Sequence, residues 1–173
     1  MQLETGIKFV FISCIHMGLL FSSYAMAGAV DTGENSMHSL CDANDSVFFS
    51  CTTKNNKLIS LCGKGERSKP SGMYYRFGKA AKIEMDFPSN KDETSISKFS
   101  YSNYYKGTNI HFNNNGYSYV LFEPYSNSSD EDRSGIAVSE INTNKQIAVI
   151  NCKSNRNSEL FMLTDIISRT TED

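Results

Sequence analysis

From Ser46 onward, apolar and polar side chains alternate in short stretches divided by turn residues. Ile83, Met85 and Phe87 alternate with Glu84 and Asp86 until Pro88 ends the run. Phe99 and Tyr101, then Ile110 and Phe112, repeat the pattern on either side of Tyr104-Tyr105-Lys106-Gly107. Tyr117, Tyr119 and Leu121 alternate with Ser118 and Val120 until Pro124, and Ile136, Val138, Ile147, Val149 and Cys152 close the series. Successive side chains of a strand point to opposite faces, so a period of two marks strands with one buried face. Aromatic and β-branched enrichment and turn clusters such as Asn113-Asn114-Asn115-Gly116 argue the same way. The expected fold is mainly β, a small antiparallel barrel or sandwich of about eight strands. Only Ser158 to Ser168 fits a helix, with Leu160, Leu163 and Ile167 on one face and Asn157 or Ser158 as cap.

Val47 to Thr53 and Lys57 to Gly63 read as a hairpin turning at Lys54-Asn55-Asn56-Lys57. With Asn55 and Asn56 in the turn, Cys51 falls opposite Ser60 and Cys62 opposite Phe49. The two thiols then share a face but lie diagonally, a poor geometry for a bridge. Four cysteines allow three pairings, and spacing alone does not choose among them. Folding Cys41 back to Cys62 leaves Cys51 for Cys152 at the end of a late strand, so Cys41–Cys62 and Cys51–Cys152 are expected.

The start of the chain changes the picture from a small β domain to an exported one. Phe9 to Phe21 is an apolar run and Ala25-Met26-Ala27 an A-x-A cleavage site, the order of a secretory signal peptide. The run is well short of the ~20 apolar residues that span a bilayer, so no membrane span is expected after cleavage. The expected organisation is a signal peptide over 1–27, a polar mobile leader over 28–40 and one disulfide-bonded domain over 41–173. Cys14 leaves with the signal, and the even number of cysteines that remains suits two disulfides in the periplasm or outside the cell. A net charge of -2 and the lack of any Lys/Arg run give no reason to expect a nucleic-acid partner.

Candidate catalytic chemistry is sparse. His38 lies in the leader, and His111 sits between Ile110 and Phe112 but points away from them, as a surface imidazole would. No G-x-S-x-G elbow, H-E-x-x-H pair or C-x-x-C zinc spacing occurs, so no metal or cofactor is expected. Asp130, Glu131 and Asp132 lack the alternating ligands and glycine of a calcium loop and read as a solvated acidic loop. A hydrolase needing only two facing carboxylates stays open as an alternative.

Ser71-Gly72-Met73-Tyr74-Tyr75, following Lys69-Pro70, is the most suggestive short motif. Pro70 and Gly72 mark a turn, and a serine hydroxyl with a nearby tyrosine makes a key suited to an enzyme cleft. The fragment resembles the S-G-x-x-Y motif of the bacterial periplasmic and membrane-bound lysozyme inhibitors, small exported disulfide-bonded β-barrels that plug the active site of host lysozymes. The resemblance implies that Ser71 and Tyr75 plug the site while Gly72 permits the turn. A cysteine in an early strand and Asn151-Cys152 at the end of a late one look like the first-to-last disulfide of that family. Here, however, the motif follows the first hairpin, and the chain carries a second cysteine pair.

The leading expectation is a periplasmic, non-catalytic protein that binds a cell-wall hydrolase, either host lysozyme or a rival's toxin to which it gives immunity. A general ligand- or surface-binding β module and a small secreted hydrolase are the alternatives.

Overall fold

The computed structural model describes residues 39–89, 93–105, 107–125 and 133–170, with the backbone alone for 93–94 and 154–156. The expected signal peptide, His38, Asp130, Glu131 and Asp132 lie outside the described residues. Among the described residues ten strands form in chain order. These are β1 (Ser46–Thr53), β2 (Leu58–Gly63), β3 (Met73–Lys79), β4 (Lys82–Phe87), β5 (Ser100–Tyr104), β6 (Gly107–Asn114), β7 (Tyr117–Pro124), β8 (Gly135–Glu140), β9 (Gln146–Ser158) and β10 (Ser168–Arg169). They make one sheet in the order β10-β5-β6-β7-β8-β9-β1-β2-β3-β4. Neighbours are antiparallel except β10 and β5, which are parallel.

The expected barrel of about eight strands is therefore corrected to a larger and open sheet, with β10 and β4 as its edges. The sheet nonetheless bends far over. Phe87 of edge strand β4 stacks on Phe112 of β6 with ring centroids 4.8 Å apart, although seven places in the strand order separate them. Phe112 also stacks on Tyr119 at 4.9 Å and meets Tyr75 at 5.1 Å and Phe99 at 5.5 Å. Strand twist and the register shifts in β1, β3–β4 and β8–β9 bend the sheet, since a bulge strengthens the local twist. This aromatic cluster, with Phe49, Ile59, Leu61, Ile110, Leu121 and Ile136, is the core.

The late segment forms a 3₁₀ helix over Leu160–Asp165, shorter than expected but with Leu160, Leu163 and Ile167 buried on the expected face. The expected cap does not form. Glu159 occupies the N-cap without a side-chain hydrogen bond, and Ser158 donates its hydroxyl to Glu123 instead.

Both disulfides join the expected cysteines, Cys41 to Cys62 and Cys51 to Cys152. The local geometry behind them differs by one residue. Asn56 adopts a left-handed φ of 54°, and the Thr53 N–H donates to the Lys57 carbonyl, making a three-residue loop rather than a two-residue one. Cys51 consequently pairs with Ile59, and a bulge places Cys62 opposite Val47. One residue of slip turns a side chain to the other face. Cys51 therefore points into the core with Ile59 and Leu61, whereas Cys62 shares the outer face with Ser60.

On that outer face the segment just before β1 lies across the sheet as a strap. Leu40 is buried rather than part of a leader, and its N–H donates to Ser60 Oγ at 3.0 Å. Tyr74 donates its hydroxyl to Asp45 and accepts the Asp42 N–H, both at 2.8 Å. Arg76 reaches the Leu40 carbonyl at 2.7 Å and Asp42 at 2.6 Å. No helix among the described residues is long and apolar enough to cross a membrane.

Candidate functional site

Residues 64–72 connect β2 to β3 and are too polar to enter either face of the sheet. The backbone keeps pairing past the strand ends: the Lys64 N–H donates to the Gly72 carbonyl at 2.8 Å and the Ser71 N–H to the Lys64 carbonyl at 3.1 Å. At the tip, the Lys69 N–H donates to the Glu66 carbonyl at 3.3 Å. Gly65, with φ of 74°, turns the chain in a conformation that side chains disfavour. Its N–H donates to Asp45 at 3.1 Å and its carbonyl accepts from Ser46 Oγ at 2.8 Å.

Three further ties fix the loop from outside. Arg67 forms an ion pair with Glu159 at the end of β9. Pro70 is buried over Gly63, where an added Cβ would come within 3.0 Å of the proline ring and 2.4 Å of Phe48. The Met73 N–H, at the start of β3, donates to the buried Ser95 hydroxyl at 2.9 Å. What remains on the crest is Gly65, Glu66, Ser68, Lys69 and Ser71, all exposed. The crest thus holds two hydroxyls, an ammonium and the Glu66 carboxylate on a backbone whose ends and turn are pinned.

The structure divides the motif expected to make the contact. Ser71 is on the crest, and Gly72 supplies buried backbone at the loop's foot. Tyr75 is 1% exposed in the core, a correction to its expected role as a surface key. Strand parity is the reason: Tyr74 and Tyr75 are adjacent, so one faces out under the strap and the other in against Phe112. Burial pushes the Tyr75 hydroxyl pKa far above its ordinary value. Tyr74 is raised too, chiefly by burial. Sequence reasoning passed over Ser68 and the tie from Arg67 to Glu159. The signal available was the uninterrupted polar run from Lys64 to Lys69 between two strands.

His111 is on the outer face of β6 as expected, but half-buried and bonded through Nε2 to Ser102 Oγ at 2.7 Å. Burial lowers its pKa, which favours the neutral ring. All four described cysteines are disulfide-bonded, so none offers a thiolate. Among the described residues no group of three or more His, Cys, Asp or Glu is placed to hold a metal ion.

No protein-family model matches the chain, and neither does any curated protein or solved structure.

Proposed function

We propose that the chain is an exported, non-catalytic protein that binds and blocks a peptidoglycan hydrolase, a lysozyme-like enzyme or a wall-degrading toxin. The pinned loop over residues 64–72 is the observation that carries this reading. A loop ordered before contact loses little freedom on binding, and this preorganisation is what lets a short protrusion inhibit tightly. The target chemistry is complementary. Most glycan-cleaving clefts hold two carboxyl groups, and the Ser68 and Ser71 hydroxyls with the Lys69 ammonium are donors to such groups. Two disulfides fit an oxidising compartment, and the apolar run with its A-x-A site supplies a route to it.

The contact in this reading is Ser68, Lys69 and Ser71. Tyr75 supports it only from the core, and Gly72 supports the turn. The test is the rate of wall lysis by a panel of lysozymes and co-encoded toxins, with and without the mature protein. Stoichiometric loss of lysis that disappears with Ser71→Ala/Lys69→Ala supports the reading. No inhibition across the panel removes it, and full inhibition by the double variant moves the contact elsewhere.

A further inference from the structure

A cleft of about 520 Å³ opens between the two free edges of the sheet, bordered by Phe87 of edge strand β4 and by Thr170, next to edge strand β10. The register sets its wall. Ser100 pairs with His111 and Asn113 pairs with Ser118, so these four side chains share the outer face of β5, β6 and β7. The wall is therefore a set of uncharged hydrogen-bonding groups: two serine hydroxyls, an amide and an imidazole. Thr170 Oγ1 adds a third hydroxyl and donates to Ser100 Oγ at 3.1 Å. At its base the cleft meets the core, where Phe87 and Phe112 are buried and Phe112 is stacked on both Phe87 and Tyr119.

These groups are positioned in advance. The hydrogen bond between His111 Nε2 and Ser102 Oγ fixes the ring, and that from Thr170 fixes Ser100. Each hydroxyl still has capacity to donate or accept beyond one partner, and Asn113 has both an acceptor and two donors. Among the described residues Lys98 is the one cation of the lining, and it is exposed. An anion site would instead gather several cations or converging N–H groups. The volume lies in the ~300–1,000 Å³ range of small-molecule sites.

We propose that this cleft is a binding site for a short neutral saccharide, with its ring hydroxyls held by Ser100, Asn113, Ser118 and Thr170. This site is separate from the loop over residues 64–72, and neither proposal depends on the other. A saccharide offers alternating donors and acceptors around a ring, which matches a wall of hydroxyls and an amide. Asn113 is the residue to test, because it is exposed and its loss leaves the core untouched.

The experiment is a titration of the isotope-labelled mature protein followed by amide NMR shifts, with N-acetylglucosamine trimer, cellotriose and inorganic phosphate as separate probes. Expected are saturable shifts at His111, Asn113 and Ser118 with at least one saccharide. Asn113→Ala should weaken that binding about tenfold, the scale of one or two lost hydrogen bonds, with an unchanged melting temperature. Ser118→Ala provides a second readout, an affinity loss of several-fold from the neighbouring strand. No saturable shift with either saccharide, shifts produced by phosphate alone, or unchanged affinity in both variants would overturn the proposal.

Discussion

The two disulfides close loops of very different length, and that difference makes a quantitative prediction. Cys51–Cys152 spans 101 residues and Cys41–Cys62 spans 21. In the chain-entropy account these closures stabilise by about 4.7 and about 3.3 kcal/mol respectively. Packing widens the gap. Cys51 is completely buried in the core and Cys152 nearly so, whereas Cys41 belongs to the strap and is only partly covered. The strap also keeps its other ties when Cys41–Cys62 is gone, namely Leu40 to Ser60, Asp42 to Tyr74 and Arg76 to Asp42.

Replacing Cys51 and Cys152 by Ala should therefore cost at least ~1.4 kcal/mol more than replacing Cys41 and Cys62. The assay is urea unfolding followed by circular dichroism and tyrosine emission, since the chain has nine tyrosines and no tryptophan. The dependence on urea should steepen more for the longer loop, because its removal exposes more surface in the unfolded chain. The loops overlap between residues 51 and 62, so the quadruple variant need not show the sum of the two effects. Equal costs, or a larger cost for Cys41/Cys62, would refute the argument that loop length and core burial decide the ranking.

Tyr75→Ala should destabilise by about 3–5 kcal/mol, the range for emptying a buried aromatic site, and circular dichroism melts will read it. Loss of binding without loss of stability would return Tyr75 to the surface. For His111, the pKa is lowered on folding, so the unfolded chain takes up a proton first as pH falls. The contribution of the neutral ring is whole above the unfolded value of about 6.5 and is lost as pH drops through the lower folded value. Stability measured across that window should fall with acid in the native protein, and His111→Gln should flatten that part of the profile. Tyr74→Phe removes the hydroxyl that joins Asp42 and Asp45, and should cost about 1–3 kcal/mol while raising hydrogen exchange first in the strap.

Alternation located most of the strands, because a half-buried sheet writes its period directly into the sequence. Phe87, Ile110, Phe112 and Leu121 are core residues as that pattern implies, whereas Ile83, Ile147 and Val149 from the same runs are exposed. Closure was not legible. Whether an edge strand finds a partner depends on long-range twist and on bulges, and no local pattern around Lys82–Phe87 or Ser168–Arg169 encodes it. The first hairpin shows the same limit at short range. A left-handed Asn56 adds one residue to the loop and moves Cys51 from the face of Ser60 to that of Ile59.

The disulfide pairing emerged from the hairpin even so, because either register denies Cys51 and Cys62 a bridge. In the candidate site, Ser71 and the turn at Gly72 were readable from Pro and Gly. Tyr75 misled because Tyr74 and Tyr75 both look like surface aromatics until the strap covers one and the core the other. The strap itself was hidden: Leu40 and Cys41 follow a polar stretch, and only tertiary contact makes them part of the body.

The central claim is that a preorganised crest of Ser68, Lys69 and Ser71 engages a peptidoglycan hydrolase, and calorimetric titration of the protein lacking residues 1–27 into purified hydrolases tests it most directly. The account predicts one-to-one binding to at least one of them. It also predicts that Ser68→Ala/Lys69→Ala/Ser71→Ala weakens that binding at least about 100-fold, the ~2.7 kcal/mol expected for losing a charged donor and two hydroxyls. Circular dichroism melts of the triple variant should match the native protein, because the ties of the loop run through Lys64, Gly65, Arg67 and Pro70 rather than through the crest side chains. No binding by the native protein, or binding that the triple variant retains in full, would contradict the account.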